Sequence, residues 1–308
     1  MTHHSNEAAP PQSAPRKNRP AKSALIFLLV IGLGAGVAWA GSDGGASVAG
    51  VPVFALVVGW IFLVQFVAFI PAYVKQTEHF YDLVGSFSYI TSILAALLLS
   101  GHMDATALLL TAAVGIWAAR LGSFLFIRVR ASGRDDRFDA IKPDLARFLN
   151  VWTIQGLWVT FTVSAALAAV TASQRPGLEA LTFIGLAIWV LGFAIEIAAD
   201  SQKSHFRANP ANKHEFIRTG LWAWSRHPNY FGEIALWIGI AVAALPALSG
   251  WQYVTLISPI FVLILIGRVS GVPLLEAKAD RKWGGREDYE QYKASTPVLV
   301  PRPPRSRP

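Results

Sequence analysis

Gly220-Leu-Trp-Ala-Trp-Ser-Arg-His-Pro-Asn-Tyr-Phe-Gly-Glu233 sets polar, charged and turn-forming residues between two long apolar segments, 180–199 and 231–247. A chain that only had to span a bilayer would have no use for Arg226, His227, Asn229 and Glu233 here, because ionisable groups beside hydrocarbon are costly and tend to be functional. The stretch therefore raises two expectations together: flanking membrane helices, and a site where they meet.

Composition agrees. The 308 residues are 53% hydrophobic and 15% charged, with a mean hydropathy of +0.42, which suits a polytopic helical membrane protein better than a soluble core. Apolar runs at about 24–40, 52–73, 83–101, 104–127, 150–172, 180–199, 231–247 and 251–268 each approach the roughly 17 to 25 residues needed to cross. The fold expected is all-α with about eight spans. Only Gly101-His-Met-Asp104 separates the third run from the fourth, so counts of seven or six stay open.

With the N-terminus in the cytoplasm, every Lys and Arg except Arg120 and Arg175 falls on the cytoplasmic side, as basic loop charge requires. Both termini are then cytoplasmic, and the net charge of +8 reflects orientation, with no nucleic-acid partner implied. Residues 1–23 hold four prolines and a basic cluster and read as a disordered tail; 24–301 reads as one integral membrane domain, and 302–308 as a second tail. Ala38-Trp39-Ala40 is similar to a small-residue cleavage site, but the long Pro-rich leader before it argues against a signal peptide.

Several chemistries are excluded. No cysteine is present, which rules out disulfides, a thiolate nucleophile and iron–sulfur ligation. The seven histidines lack metal-ligand spacing, and no metal is expected. Gly32-Leu-Gly-Ala-Gly36 follows no strand, so it reads as helix packing through small residues at 32 and 36, not as a dinucleotide loop.

Three polar constellations remain. Glu196, Asp200, Lys203 and Arg207 recur at intervals of four, three and four, which puts them on one helical face. A solvated helix end with ion pairs would share that spacing, but Glu196 stands among Ala194, Ile195, Ile197 and Ala198 and should face a polar cavity. In the opening stretch, Pro228 suits a first helical turn, where free amides with Arg226 nearby form a receptive place for an anion. Asn229, Glu233 and Trp237 then follow at four-residue spacing. The third constellation, Glu276 to Pro301, is too polar to span and reads as a cytoplasmic helix folded back over the membrane mouth.

Ser225-Arg-His-Pro-Asn-Tyr-Phe-Gly-Glu233, preceded by Gly220-Leu-Trp222 and followed by Tyr289 and Tyr292 before a Val-Pro ending, resembles the C-terminal domain shared by steroid 5α-reductases and sterol reductases. It is also similar to isoprenylcysteine carboxyl methyltransferases, whereas Asp200-Ser-Gln-Lys-Ser-His-Phe-Arg207 resembles the reductase branch. Trp117-Ala-Ala-Arg120-Leu, Arg128, Gly133-Arg-Asp-Asp-Arg-Phe138 and Gln155-Gly-Leu-Trp158 look like an uncharacterised bacterial branch of this superfamily. The resemblance runs from about Asp82 to Pro301, with the superfamily motifs in about 180–301.

What the resemblance implies is an enzyme of the bacterial inner membrane, open to the cytoplasm, that binds NADPH and delivers hydride to the C=C bond of a lipophilic enone, steroid-like or isoprenoid. Its partners would be that substrate and membrane lipids, with no obligate protein partner. Asp200, Arg207, Asn229, Glu233 and Trp237 would contact the cofactor, with Glu196, Lys203, Arg226, His227 and Tyr230 beside them. Arg120 and Arg128 would add contacts from the fourth helix, and Tyr289 and Tyr292 would close the pocket. Arginines suit phosphates; carboxylates and Asn suit ribose hydroxyls and the nicotinamide amide. Enone reduction also needs an electrophile at the carbonyl oxygen. The acids comparable to the family's are Glu78 and Asp82, and Asp82 has the right separation from Trp117. Trp117 stands where the family has its carbonyl-binding Tyr, and an indole N–H donates a hydrogen bond without releasing a proton. Tyr73, Tyr81 and Tyr89 are candidate replacements. The alternative is an S-adenosylmethionine-dependent methyltransferase with a pocket built from Arg226-His-Pro228, Tyr230 and Glu276; a non-catalytic lipid- or protein-binding role is the third reading.

Overall fold

The computed structural model describes residues 20–132 and 138–304, with the side chains of 126–132 excepted. Apart from a two-stranded antiparallel hairpin, β1 (Ser47–Val48) and β2 (Val51–Pro52), its regular structure is helical. The helices are α1 (Pro20–Gly41), α2 (Val53–Val74), α3 (Tyr81–Ser100), α4 (Ala105–Ser132), α5 (Leu145–Thr171), α6 (Ala180–Ala208), α7 (Pro228–Ala244), α8 (Ile257–Ile264), α9 (Val272–Trp283) and α10 (Glu287–Ser295). Eight helical segments among the described residues are long and apolar enough to cross a membrane. The chain is an integral membrane protein with the expected all-α architecture.

The doubtful boundary between the third and fourth spans is a real break. Gly101 takes the left-handed conformation, φ 70°, that ends α3, and the Asp104 carboxylate accepts the Ala107 amide at 3.0 Å to begin α4. Three other expectations need correction. The eighth span is a composite of a 3-10 stretch (Gly250–Leu256), α8 and a π-helical turn (Leu265–Val269), and its apolar character runs on into α9. Helix α1 already includes Pro20–Ser23, inside the expected tail, and Asn150 Nδ2 donates to the Ser23 carbonyl at 3.0 Å. Residues 1–19 and 305–308 lie outside the described residues. At the other end, Arg302 donates its amide to the Trp224 carbonyl at 3.0 Å, one residue past the expected domain boundary.

The centre of the bundle is α5, whose Val163, Ala165, Ala166, Leu167 and Val170 are fully buried against α1, α2, α3 and α8. The outer helices present Leu28, Leu98, Val190 and Leu191 outward, the surface a lipid environment calls for.

Helices α6 and α7 meet backbone to backbone through four glycines. A Cβ on Gly185 would lie 2.3 Å from the Ala243 nitrogen, and one on Gly192 2.6 Å from the Leu236 nitrogen. A Cβ on Gly232 would lie 2.6 Å from the Gly192 oxygen, and one on Gly239 2.6 Å from the Gly185 oxygen. Each helix carries its pair seven residues apart, so the glycines recur on one face and the backbones touch. Lipid provides little hydrophobic drive for helices to associate, and small residues that allow such contact take its place. The expected packing at Gly32 and Gly36 is absent, since a Cβ at either would meet nothing within 4 Å; at Gly34, between them, an added Cβ would lie 2.8 Å from the Phe62 ring.

Gly232→Ala should therefore destabilise the folded protein by about 1–3 kcal/mol, because the added methyl has only backbone to displace. Gly36→Ala should be neutral or stabilising by about 0.5–1 kcal/mol. Thermal unfolding of both variants in one detergent checks the contrast.

Candidate active site

The glycine contact sets the polar residues of α6 and α7 face to face. Beside Gly192 and Gly232, Glu196 and Asp200 project from α6 and Asn229 and Glu233 from α7. Arg120 of α4 reaches across and donates to both Glu196 and Asp200, while Asn229 Nδ2 donates to the second Asp200 oxygen at 3.1 Å. One guanidinium and one amide thus hold two acids in a wall where Glu196 is buried, as charge inside a membrane demands.

This wall bounds a cavity of about 470 Å³. Asp82, Ser86 and Tyr89 of α3, Trp117 and Leu121 of α4, and Gln155 and Trp158 of α5 form the opposite side. Phe138 and Ile141 come from the loop before α5, and Ile266, Ser270 and Gly271 from the broken eighth span. Of the sequence-derived set, Asp82, Trp117, Glu196, Asp200, Asn229, Tyr230 and Glu233 line this one space, with Arg120 paired to its acids. Trp237 lies behind it, fully buried, with its ring edge-on to Trp117 at 4.9 Å between centroids. Glu78, the other candidate acid, is buried elsewhere and tied to Lys142 at 2.6 Å. Among the three candidate tyrosines, Tyr73 stacks on Phe69 away from the cavity, and Tyr81 donates its hydroxyl to the Val151 carbonyl at 3.2 Å. Tyr89 lies against Trp117 and Trp237 with its hydroxyl enclosed.

Other expected residues sit elsewhere. Arg226 and His227 converge on Glu276, at 2.8 and 2.7 Å, so the N-terminus of α7 meets a carboxylate of α9 where an external anion was expected. Lys203 lies over the Trp222 ring at 4.3 Å, and Arg207 stands exposed on the last turn of α6. Tyr289 and Tyr292 pack on Phe216, at 5.2 and 5.4 Å, and bond to Asp280 and to the Trp222 carbonyl. Burial pushes both phenols above their ordinary pKa, and neither lines the cavity: they hold the loop ahead of α7. The side chain of Arg128 and residues 133–137 lie outside the described residues.

Gln155 was not singled out from the sequence as a site residue. It donates to the Tyr81 carbonyl at 3.0 Å and keeps its own oxygen without a partner. Its signal was an amide in the middle of an apolar span. Among the described residues, no group of His, Asp and Glu side chains is arranged to hold a metal.

The motifs that pointed to a reductase-like superfamily now have a geometry, and the known proteins agree with them. The chain belongs to the family described as "Protein of unknown function (DUF1295)", which matches residues 68–296. Curated relatives named 3-oxo-5-alpha-steroid 4-dehydrogenase 1 are 28% identical in Rattus norvegicus and 26% in Mus musculus and Bos taurus, each over 117 residues. Those stretches are 38% of this chain and 40% of each relative, so the chain matches well under half the length of these curated proteins. No solved structure matches. The expected likeness to steroid 5α-reductases is borne out.

Two consequences can be measured. Arg120→Ala should cost about 3–5 kcal/mol, since it strands two carboxylates inside the bundle, and adding Glu196→Gln should recover part of the loss. Burial also lowers the His227 pKa despite the Glu276 carboxylate. The fold favours the neutral ring, so this contribution is present above the ordinary imidazole value of about 6.5 and is lost as pH falls below it. Thermal unfolding between pH 7.5 and 5 should show a decline (a window set about that value) that His227→Gln flattens.

Proposed function

We propose that this protein is an NADPH-dependent membrane reductase that adds hydride to the C=C bond of a lipophilic enone of steroid-like or isoprenoid type. The observation that carries this reading is the single cavity that Asp82 of α3 shares with the Glu196–Asp200–Asn229–Glu233 wall. An acid suited to a carbonyl oxygen and a polar wall suited to a cofactor head thus open into one space with apolar sides. The names of the curated relatives support the same substrate class.

The residues present fit the cofactor. Glu196 Oε2, Asn229 Oδ1 and Gln155 Oε1, all on lining residues, have no hydrogen-bond partner within the described protein, and acceptors of this kind suit ribose hydroxyls and a carboxamide NH2. Arg207 and Lys203, on later turns of the α6 face, suit phosphate. NADPH, when bound, supplies the hydride. Asp82 presents a protonated carboxyl to the carbonyl oxygen, where negative charge grows during the reaction. Trp117, clamped edge-on by Tyr89 and Trp237, sets the shape of the cavity. The basic charge of these loops supports an orientation in which residues near Arg207 and Arg218 face the cytoplasm and both termini lie on that side.

Titration of the detergent-purified protein with NADPH, NADH and S-adenosylmethionine, read as melting temperature, tests the reading, since a ligand that binds the folded state raises it. NADPH should stabilise selectively, and Arg207→Ala should weaken its binding about tenfold. Asp82→Asn should slow enone-dependent NADPH oxidation by roughly a hundredfold or more with NADPH binding near normal. Selective stabilisation by S-adenosylmethionine would replace the reductase with a methyltransferase.

A further inference from the structure

The eighth span ends in exposed apolar side chains and hands over to exposed cations. Val269 is 62% exposed, and Leu274, on the first turn of α9, is 49% exposed. Between them the chain bends at Ser270 and Gly271, where a Cβ on the glycine would lie 2.7 Å from the Ile266 carbonyl oxygen. Helix α9 then sorts its charges by face. Its two acids, Glu276 and Asp280, turn inward: Glu276 to Arg226 and His227, Asp280 to Tyr289 and Lys293. Buried Val272 and the Trp283 ring, which donates to the His214 carbonyl, lie on the same side. Leu274, Lys278 and Arg281 follow at intervals of four and three on the opposite face, and all three are exposed. Both acids of the helix are engaged on its inner face, so α9 offers Lys278 and Arg281 no carboxylate of its own on the outer one.

We propose that this outer face of α9 binds anionic phospholipids of the leaflet in which the eighth span ends, with Leu274 at the acyl boundary and Lys278 and Arg281 among the phosphates. A helix lying in the interface buries its apolar side chains at that boundary, while Lys and Arg stems run along the apolar surface and keep their charges at headgroup level. A nucleic acid or an acidic protein would meet the two charges but leave Leu274 and Val269 in water. A lipid without net charge would cover the apolar side chains and leave the cations unmatched. An anionic phospholipid satisfies both, and each cation near such a surface is worth about a fivefold preference. The inner face of the same helix carries Glu276, so a lipid that holds α9 also holds the Arg226 and His227 anchor ahead of Pro228.

The test reconstitutes the purified full chain in bilayers of mixed phosphatidylcholine and phosphatidylglycerol, extracts it again in mild detergent and measures by mass spectrometry which lipids stay bound. Phosphatidylglycerol should be enriched about tenfold over the supplied ratio. Lys278→Gln combined with Arg281→Gln should bring the bound lipid back toward that ratio. Lys75→Gln combined with Arg302→Gln removes the same charge from exposed positions elsewhere and should leave the enrichment in place. Leu274→Ser should lower it, because the acyl contact is lost while both cations remain. All of these side chains are exposed, and an unchanged melting temperature checks that each variant is folded. No enrichment in the wild type, or an equal loss in the two double variants, overturns the proposal. An enrichment that Leu274→Ser leaves unchanged also overturns it, and assigns the two cations to a soluble anionic partner.

Discussion

The backbone contact between α6 and α7 is the constraint on which the rest of the site depends. Four glycines in two pairs, 185 and 192 against 232 and 239, let the two helices touch along their length. Nothing in the apolar composition of these segments would otherwise favour one partner over another, because lipid solvates Leu and Ile as well as a neighbouring helix does. The contact also sets the depth at which the acids meet. Glu196 follows Gly192 by one turn and Glu233 follows Gly232 directly, so the register that joins the glycines brings the carboxylates together. Among the described residues, Arg120 reaching from α4 and the Asn229 amide make that arrangement tolerable in a low dielectric.

The opening stretch serves two roles, divided at Pro228. Before it, Ser225 Oγ donates to the Leu299 carbonyl at 2.8 Å, the Arg226 amide donates to the Pro297 carbonyl at 2.9 Å, and both Arg226 and His227 hold Glu276. After it, Asn229, Tyr230 and Glu233 turn to the cavity. The first half anchors the C-terminal segment, and that anchor fixes where α7 begins. The Val-Pro ending is thus part of the site's support although it never reaches the cavity.

This division explains what could be read from the sequence. The eight spans were legible because crossing a bilayer imposes length and apolarity on each segment separately, and the acids of α6 were legible because a Glu among Ala and Ile violates that rule. Partners were not legible. Arg226 looked like an anion ligand because a helix N-terminus beside Arg is receptive, and nothing local announced that Glu276, about fifty residues on, would occupy it. Tyr289 and Tyr292 were expected at the pocket, yet their rings find Phe216, a pairing across a loop that no periodicity encodes. The glycine register was hidden for the same reason: seven-residue spacing within each helix is visible, but its meaning appears only when the two helices are aligned.

Helix α6 has 29 residues, about 44 Å of helix at 1.5 Å per residue, against a hydrocarbon thickness of about 30 Å. It must therefore emerge from the membrane, and its polar face changes character as it does so. Glu196 is buried, Asp200 half-buried and shared between Arg120 and Asn229, Lys203 rests on Trp222, and Arg207 is exposed. Eleven residues separate the first from the last, roughly 16 Å along the axis. The face runs from negative in the apolar interior to positive at the aqueous end. An extended ligand that follows it must bring hydrogen-bond donors to the deep end and anionic groups to the outer end, and a ligand of the reverse polarity would meet like charge at both.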